Sequence, residues 1–390
     1  MSDAATVLER CARLGEVSEE SGRLVRRFGS EALREANELV GGWMRDAGMT
    51  VREDAIGNLI GRYEADGGPA LLLGSHLDTV VDAGRFDGPL GVLVGLAVVE
   101  RRPPCAVEVV AFADEEGVRF GTAYLGSSGM TGRFDPAWLE LRDADGVALG
   151  YLLRGDPATA VRDPAELRGY CEVHIEQGPA LERRGLPVGV VTGIASQTHA
   201  EATFHGEAGH AGTVPMAARR DALCAAAELV LAAEALPRTR PGLVATVGRL
   251  GVAPGARNVI PGTATLSIDV RHADDDARRE AAEALRERAH EIAAARGVGV
   301  DWRPTADLAA VPMAPEFVAG LTAAIEGAGL PVERLPSGAG HDAAEMAAIT
   351  PAAMLFVRCR GGISHHPDES VEEGDVAVAI DVIDRFVRGL

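Results

Sequence analysis

Residues 70–93 read "ALLLGSHLDTVVDAGRFDGPLGVL". The first half is an unbroken apolar run of the length of a buried strand, and the residues after Pro89 have helical composition. Between them lies a glycine-rich turn that carries His76, Asp78 and Asp87. A fully apolar strand followed by a turn and a helix is the repeating unit of an α/β layer, whose ligands gather where strands end. One His and two Asp in such a turn are also ordinary turn formers, so the stretch sets the fold class while leaving the chemistry to the rest of the chain.

Working outward, residues 1–50 read as helical, and "TVREDAIGNLIGRYEA" alternates like a hairpin. Further strand-like runs stand at "AVEVVAFAD" and "CEVHIEQG". A different rhythm begins near Gln197. Strands at "HAEATFHGEA", "GLVATVGRLGV", "GTATLSIDVRHA" and "VGVDWRPT" alternate with two long Ala-rich helices in the order β-α-β-β-α-β. This predicts a four-stranded antiparallel sheet with both helices on one face. After "ADLAAVPMAPEF" the α/β style returns. The expected organisation is a catalytic domain of residues 1–196 and 312–390, with a central mixed sheet flanked by helices, and an inserted α+β domain of residues 197–311.

Composition narrows the function. The 390 residues contain 47% hydrophobic and 25% charged residues, as in ordinary globular proteins. The formal net charge of −20 disfavours nucleic acid and anionic membrane as partners, because both reward an electropositive face. No apolar run approaches the roughly 20 residues that span a bilayer, and the N-terminus lacks a secretory pattern, so a cytoplasmic protein is expected. The five cysteines are scattered without a Cys-x-x-Cys pair, which removes a thiolate zinc site. All 38 basic residues are arginine. Without lysine there is no P-loop, no Schiff base and no Ser-Lys dyad.

What remains are acid and imidazole groups in or just after strand-like runs: His76, Asp87, Glu115 and Glu116 of "FADEEG", His174 of "EVHIEQGP", and His365 or His366 of "GISHHPDE". Imidazole nitrogen with carboxylate oxygen is a zinc-type donor set, and one carboxylate can bridge two cations. Glu115 and Glu116 are neighbours that point apart, which suits one for a cation and the other for a water. Asp78, two residues from His76, is placed to accept the second imidazole N–H. Taken singly, each of these is an ordinary solvated turn or packed histidine; their recurrence at separate strand ends is what carries the reading.

Nine stretches, "GSHLDTV", "GRFDGPLGV", "EEGVRF", "HIEQGP", "GEAGHAGTVPMAARRDA", "NVIPG", "DVRH", "PSGAGHDA" and "GISHHPDE", resemble in order the M20 peptidase superfamily. The likeness is to the branch of allantoate amidohydrolases, N-carbamoyl-L-amino-acid hydrolases and β-ureidopropionases. The resemblance implies two divalent ions per subunit, Zn or Mn with Co or Ni as alternatives, one held by His76, Asp87 and His174 and the other by Asp87, Glu116 and His365. It implies Glu115 as general base and His210 as a carbonyl-polarising lid histidine. It further implies Asn258 and Arg271 as the grip on a substrate carboxylate, with Gln197, Ser337, Gly338 and Ala339 lining the pocket. The inserted domain would act as a lid and form a homodimer. The activity implied is cleavage of a ureido C–N bond, of allantoate first and of N-carbamoyl-L-amino acids as the alternative, ahead of a dipeptidase-like enzyme or an inactive binding homologue. Ser196 and Thr198, with His199 beside them, depart from the Gly and Arg that relatives often carry, and residues 121–168 are only loosely similar.

Overall fold

The computed structural model describes residues 2–65 and 67–390. The chain divides into two compact units, residues 1–192 with 312–390, and residues 193–311.

In the first unit the strands are β1 (Thr50–Glu53), β2 (Leu59–Tyr63), β3 (Ala70–His76), β4 (Val107–Phe112), β5 (Leu167–Ile175) and β6 (Val188–Ile194). Its helices are α1 (Asp3–Leu14), α2 (Glu31–Asp46), α3 (Pro89–Glu100), and the short α4 (Leu125–Met130) and α5 (Ala180–Arg184). The second unit contributes β7 (Ser196–His205), β8 (Gly209–His210), α6 (Ala222–Ala235), β9 (Val244–Thr246), β10 (Leu250–Ala253), β11 (Val259–Ile260), β12 (Thr263–His272), α7 (Asp275–Arg296) and β13 (Gly299–Leu308). The chain then continues through β14 (Val311–Pro312), α8 (Pro315–Gly327), β15 (Arg334–Ser337), α9 (Asp342–Met346), β16 (Ala352–Val357) and α10 (Glu373–Arg388).

The large sheet runs β1-β2-β4-β3-β5-β16-β6-β14, with β15 also paired to β6. Its centre is parallel: β3 pairs with β4 and β5, and β5 with β16, in the same direction. Every residue of β3, β4 and β16 is buried, as a strand covered on both faces requires. The carboxyl ends of four strands therefore meet at one edge, and His76, the Asp114–Glu116 turn, His174 and the chain leading to His365 all leave from it.

α3 is apolar all round and buried over its whole length up to Val99, a central helix and not a surface one. Two of its glycines are obligatory. Gly88, its N-cap, has φ +84°, and a Cβ there would stand 2.6 Å from the His76 ring. A Cβ on Gly91 would stand 2.0 Å from the Val173 carbonyl oxygen, so the helix lies directly on β5.

In the second unit the sheet order is β10-β12-β7-β13, with β9 also on β12. Buried and part-buried residues alternate along β12 as far as Arg271, and the buried set, Ala264, Leu266, Ile268 and Val270, shares one core with α6 and α7. The sheet has five strands where four were expected. "GLVATVGRLGV" is broken: β9 pairs with Asp269–Arg271 and β10 with Thr263–Leu266. Between them the ladder opens, and the Arg249 N–H donates to the Ser267 hydroxyl. The break falls at Gly248, where no side chain packs to hold the strand straight.

Candidate metal centre

His76 and His174 end adjacent strands with their rings stacked, centroids 5.9 Å apart and both side chains buried. His76 Nδ1 lies 3.0 Å from the Asp78 carbonyl oxygen and His174 Nδ1 lies 2.9 Å from the Ile175 carbonyl oxygen. A carbonyl only accepts, so both Nδ1 atoms carry the proton and each Nε2 presents a lone pair inward. Asp87 stands in front of them, its Oδ1 3.6 Å from His76 Nε2 and 3.1 Å from His174 Nε2. Its Oδ2 faces His365 Nε2 at 3.4 Å, and the same nitrogen is 3.5 Å from Glu116 Oε1.

Among the described residues four groups of imidazole and carboxylate could hold a cation: Glu172–His174–His341, His76–Glu115–Glu116, and two donor sets that share Asp87, His76–Asp87–His174 and Asp87–Glu116–His365. The donors are imidazole nitrogen and carboxylate oxygen, aimed inward with their outer atoms hydrogen-bonded, and they fit borderline divalent cations. The first set is buried; in the second, the His365 side chain is 50% exposed. His366, which spacing cannot distinguish from His365, turns instead toward Asp368. His365 reaches its position with φ +55°, an uncommon backbone state for a non-glycine residue.

Asp78 does something other than expected. Its carboxylate accepts the backbone N–H of Glu115 at 3.2 Å and of Glu116 at 3.1 Å, while His76 Nδ1 is met by its backbone carbonyl and stands 3.7 Å from Oδ1. The side chain thus orients the two glutamates, because its own main chain already serves the imidazole. Glu115 Oε2 lies 3.9 Å from His76 Nε2. Burial drives the Glu115 carboxyl well above the ordinary range, and the fields of Glu116, Asp342 and Asp78 add to this while His76 opposes it. Glu116 is pushed up to about 8, again by burial first, with Asp87 and Asp78 adding and His76 opposing. Burial alone would lower the His76 imidazole, but Glu115, Asp87, Asp78 and Glu116 outweigh it and hold it well above its usual value. A cluster so short of positive charge could hold cations.

Three contacts to Asp87 were not legible as such. The Gln177 amide donates to its Oδ2 at 2.8 Å, the Ser364 hydroxyl donates to the same oxygen at 2.5 Å, and Glu369 Oε1 accepts its backbone N–H at 3.0 Å. All three stand in "HIEQGP" or "GISHHPDE", next to the ligands, and that adjacency was the available signal. Behind His174 the buried His341 packs edge-on, centroids 4.6 Å apart, with Nε2 2.9 Å from the Ser337 hydroxyl. The Ser337 hydroxyl also accepts the Ala339 N–H, so the hydroxyl shapes the 337–339 turn around Gly338. Buried Asp342 accepts the Ser127 hydroxyl at 2.5 Å.

The remaining expected residues lie in the second unit, in two groups. His210 pairs with Val259 across β8 and β11, and the Ala211 N–H donates to the Asn258 carbonyl, so His210 and Asn258 are neighbours. Gln197 and Arg271 are directly opposite on β7 and β12. The Arg271 guanidinium is held by Asp269 through Nε and Nη2, at 2.7–3.1 Å. His199, two pairs further along β7 and opposite Asp269, has Nε2 3.7 Å from Asp269 Oδ2. Thr198 accepts from the buried Arg278, which also donates to the Gln197 carbonyl.

The sequence model of "Peptidase family M20/M25/M40" matches residues 72–389, which span every residue of both donor sets. The chain belongs to the M20/M25/M40 peptidase family. Among its M20 relatives, the allantoate deiminase of Arabidopsis thaliana is 40% identical over 95% of this chain and 79% of its own length. The N-carbamoyl-L-amino acid amidohydrolase of Geobacillus stearothermophilus is 41% identical, over 96% of this chain and 95% of its own. The crystal structure of AtUAH in complex with glyoxylate superposes with a TM-score of 0.85 at 31% identity, covering 100% of this M20 chain and 98% of that one. Among the described residues no helix is long and apolar enough to cross a membrane.

Proposed function

We propose that this M20 protein is a cation-dependent amidohydrolase that cleaves a ureido C–N bond of a small carboxylate substrate, with allantoate the first choice. The observation that carries the reading is the convergence of His76, Asp87, Glu116, His174 and His365 on a shared space, with the imidazole Nε2 lone pairs directed into it. His76, Asp87 and His174 would hold one divalent cation and Asp87, Glu116 and His365 a second, zinc or manganese, with cobalt or nickel as alternatives. Such cations polarise a carbonyl and lower the pKa of a water.

The protein's own groups do the rest. Glu115, kept off the solvent and beside His76, takes a proton from the attacking water and returns it to the departing ammonia or amine. Asp78 holds Glu115 and Glu116 by their amides. Arg271 and Asn258 take the substrate carboxylate, a planar group that suits a guanidinium fork, and Asp269 fixes the plane of that fork. His210 donates to the scissile carbonyl, which a poorly electrophilic ureido group requires. Gln197, Ser337, Gly338 and Ala339 are further candidate substrate contacts. The residues 193–311 unit is read as lid and dimerisation domain of a cytoplasmic homodimer, and sedimentation of the purified chain tests the dimer.

N-carbamoyl-L-amino acids are the second reading, supported by the Geobacillus relative, whose identity equals that of the Arabidopsis one within a percentage point. Ammonia release from allantoate, measured beside N-carbamoyl-L-amino acids and dipeptides on cation-loaded protein, separates the readings. Turnover of a carbamoyl amino acid without allantoate turnover reverses the order, and cleavage of dipeptides alone removes the amidohydrolase assignment.

A further inference from the structure

Arg26 is wholly buried, and among the described residues no carboxylate forms an ion pair with it. Its guanidinium serves backbone instead. Nε donates to the Leu77 carbonyl at 2.6 Å, and Nη1 donates to the carbonyls of Leu14 at 2.6 Å and Val17 at 3.0 Å. Nη2 has no partner among the described residues. The main chain of Arg26 adds two bonds to the same turn: its N–H donates to Thr79 Oγ1 at 3.0 Å, and its carbonyl accepts the Thr79 N–H at 3.0 Å. Leu77 and Thr79 are thus gripped on either side of Asp78, whose carboxylate carries the Glu115 and Glu116 amides and whose carbonyl fixes the His76 tautomer.

A buried guanidinium without an ion pair is costly, and an apolar side chain would plug the same space more cheaply. Burial pulls the Arg26 guanidinium down to about 10, and the field of Asp78 is the largest influence opposing it. Arg26 therefore stays cationic at neutral pH behind a group of carboxylates, and it contributes charge without standing in the cluster itself.

We propose that Arg26 is a positioning residue of the cation centre, clamping the Leu77–Thr79 turn from behind so that Asp78, Glu115, Glu116 and His76 are held in the geometry that binds cations. This rests on reading the cluster as a cation centre. Partners one layer behind metal ligands typically set affinity by about 10–100-fold. Lysine keeps the charge but has no fork for three carbonyls, so it separates clamp from charge.

The test is zinc affinity by chelator competition on the full chain, with Arg26→Lys, Asp78→Asn and the double variant. Val7→Ala serves as a control for stability alone, since Val7 is a buried core residue of α1. Arg26→Lys is expected to weaken zinc binding by about 10–100-fold. The double variant should be no weaker than the weaker single, because both act through the same turn. Val7→Ala should lower the melting temperature and leave zinc affinity unchanged. If Arg26→Lys does not fold, Thr79→Val removes one bond of the clamp and should weaken zinc in the same direction. Unchanged affinity in Arg26→Lys or Thr79→Val, or independent effects of Arg26→Lys and Asp78→Asn, overturns the proposal while the centre stands. Absence of zinc binding by the unaltered chain removes the centre and the proposal together.

Discussion

Glu115 and Glu116 are adjacent carboxylates tied by their amides to one aspartate, yet their side chains approach different imidazoles. Glu116 Oε1 faces His365, whereas Glu115 Oε2 faces the ring of His76. Glu115→Gln keeps the shape and removes the carboxylate proposed as base, so cation content measured by metal analysis should persist while kcat falls by about 10²- to 10⁴-fold. A variant that stays fully active would exclude Glu115 as the base. The proton inventory makes a second prediction. Without cations, Glu116 holds its proton up to about 8, and His76 and His174 hold theirs above the ordinary imidazole value of 6.5. Between those limits the folded state binds more protons than the unfolded one, so stability of the cation-free protein falls as pH rises from 6.5 to about 8. Asp87 and His341, whose values are lowered, act below this window and do not offset it. Cations replace those protons, so the gain in melting temperature on adding zinc should be larger at the upper end; thermal scans at the two pH values check it. Among the described residues only Cys224 is an exposed thiol, and burial lifts Cys11 and Cys171 far above ordinary thiol values. A maleimide should therefore label one cysteine of the native chain, counted by mass spectrometry.

The elements that bring the ligands together are β3, β5 and α3, and their contact is set by glycine. Gly91→Ala pushes α3 off β5 at Val173, one residue before His174. Overpacking of this kind costs about 1–3 kcal/mol, and because α3 begins next to Asp87, the substitution should weaken zinc as well as lower the melting temperature. A loss of stability with intact zinc affinity would mean that the helix and the ligands are not mechanically linked. These elements were readable in advance because apolar runs such as "ALLLGSH" are long and unmixed. The broken strand β9–β10 was not, since its apolar alternation continues through Gly248 while the pairing does not. The role of the Asp78 carboxylate was also out of reach, because spacing puts it near His76 but says nothing of the Glu115 and Glu116 amides in the turn that follows β4.

The two units have separate cores. Ala202, Phe204, Leu266 and Ile268 belong to the core of residues 193–311, while α3, β3 and β5 belong to the other. A continuous segment with its own core, within the usual domain size, should fold alone. Residues 193–311 expressed by themselves are expected to melt cooperatively by circular dichroism; a non-cooperative trace would show that the segment needs the rest of the chain. Within the full protein, Leu266→Ala should cost about 2–5 kcal/mol and be felt in that unit.

The amino-acid order alone determined the α/β class and which imidazoles and carboxylates are candidates, because apolar periodicity and strand-end motifs are local properties. It could not choose His365 over His366, give Asp78 its task, or single out Arg26, Gln177, Ser364 and Glu369. Those choices depend on which backbone groups from distant segments arrive beside a side chain, and only the folded sheet, with its parallel strand ends held side by side, decides that.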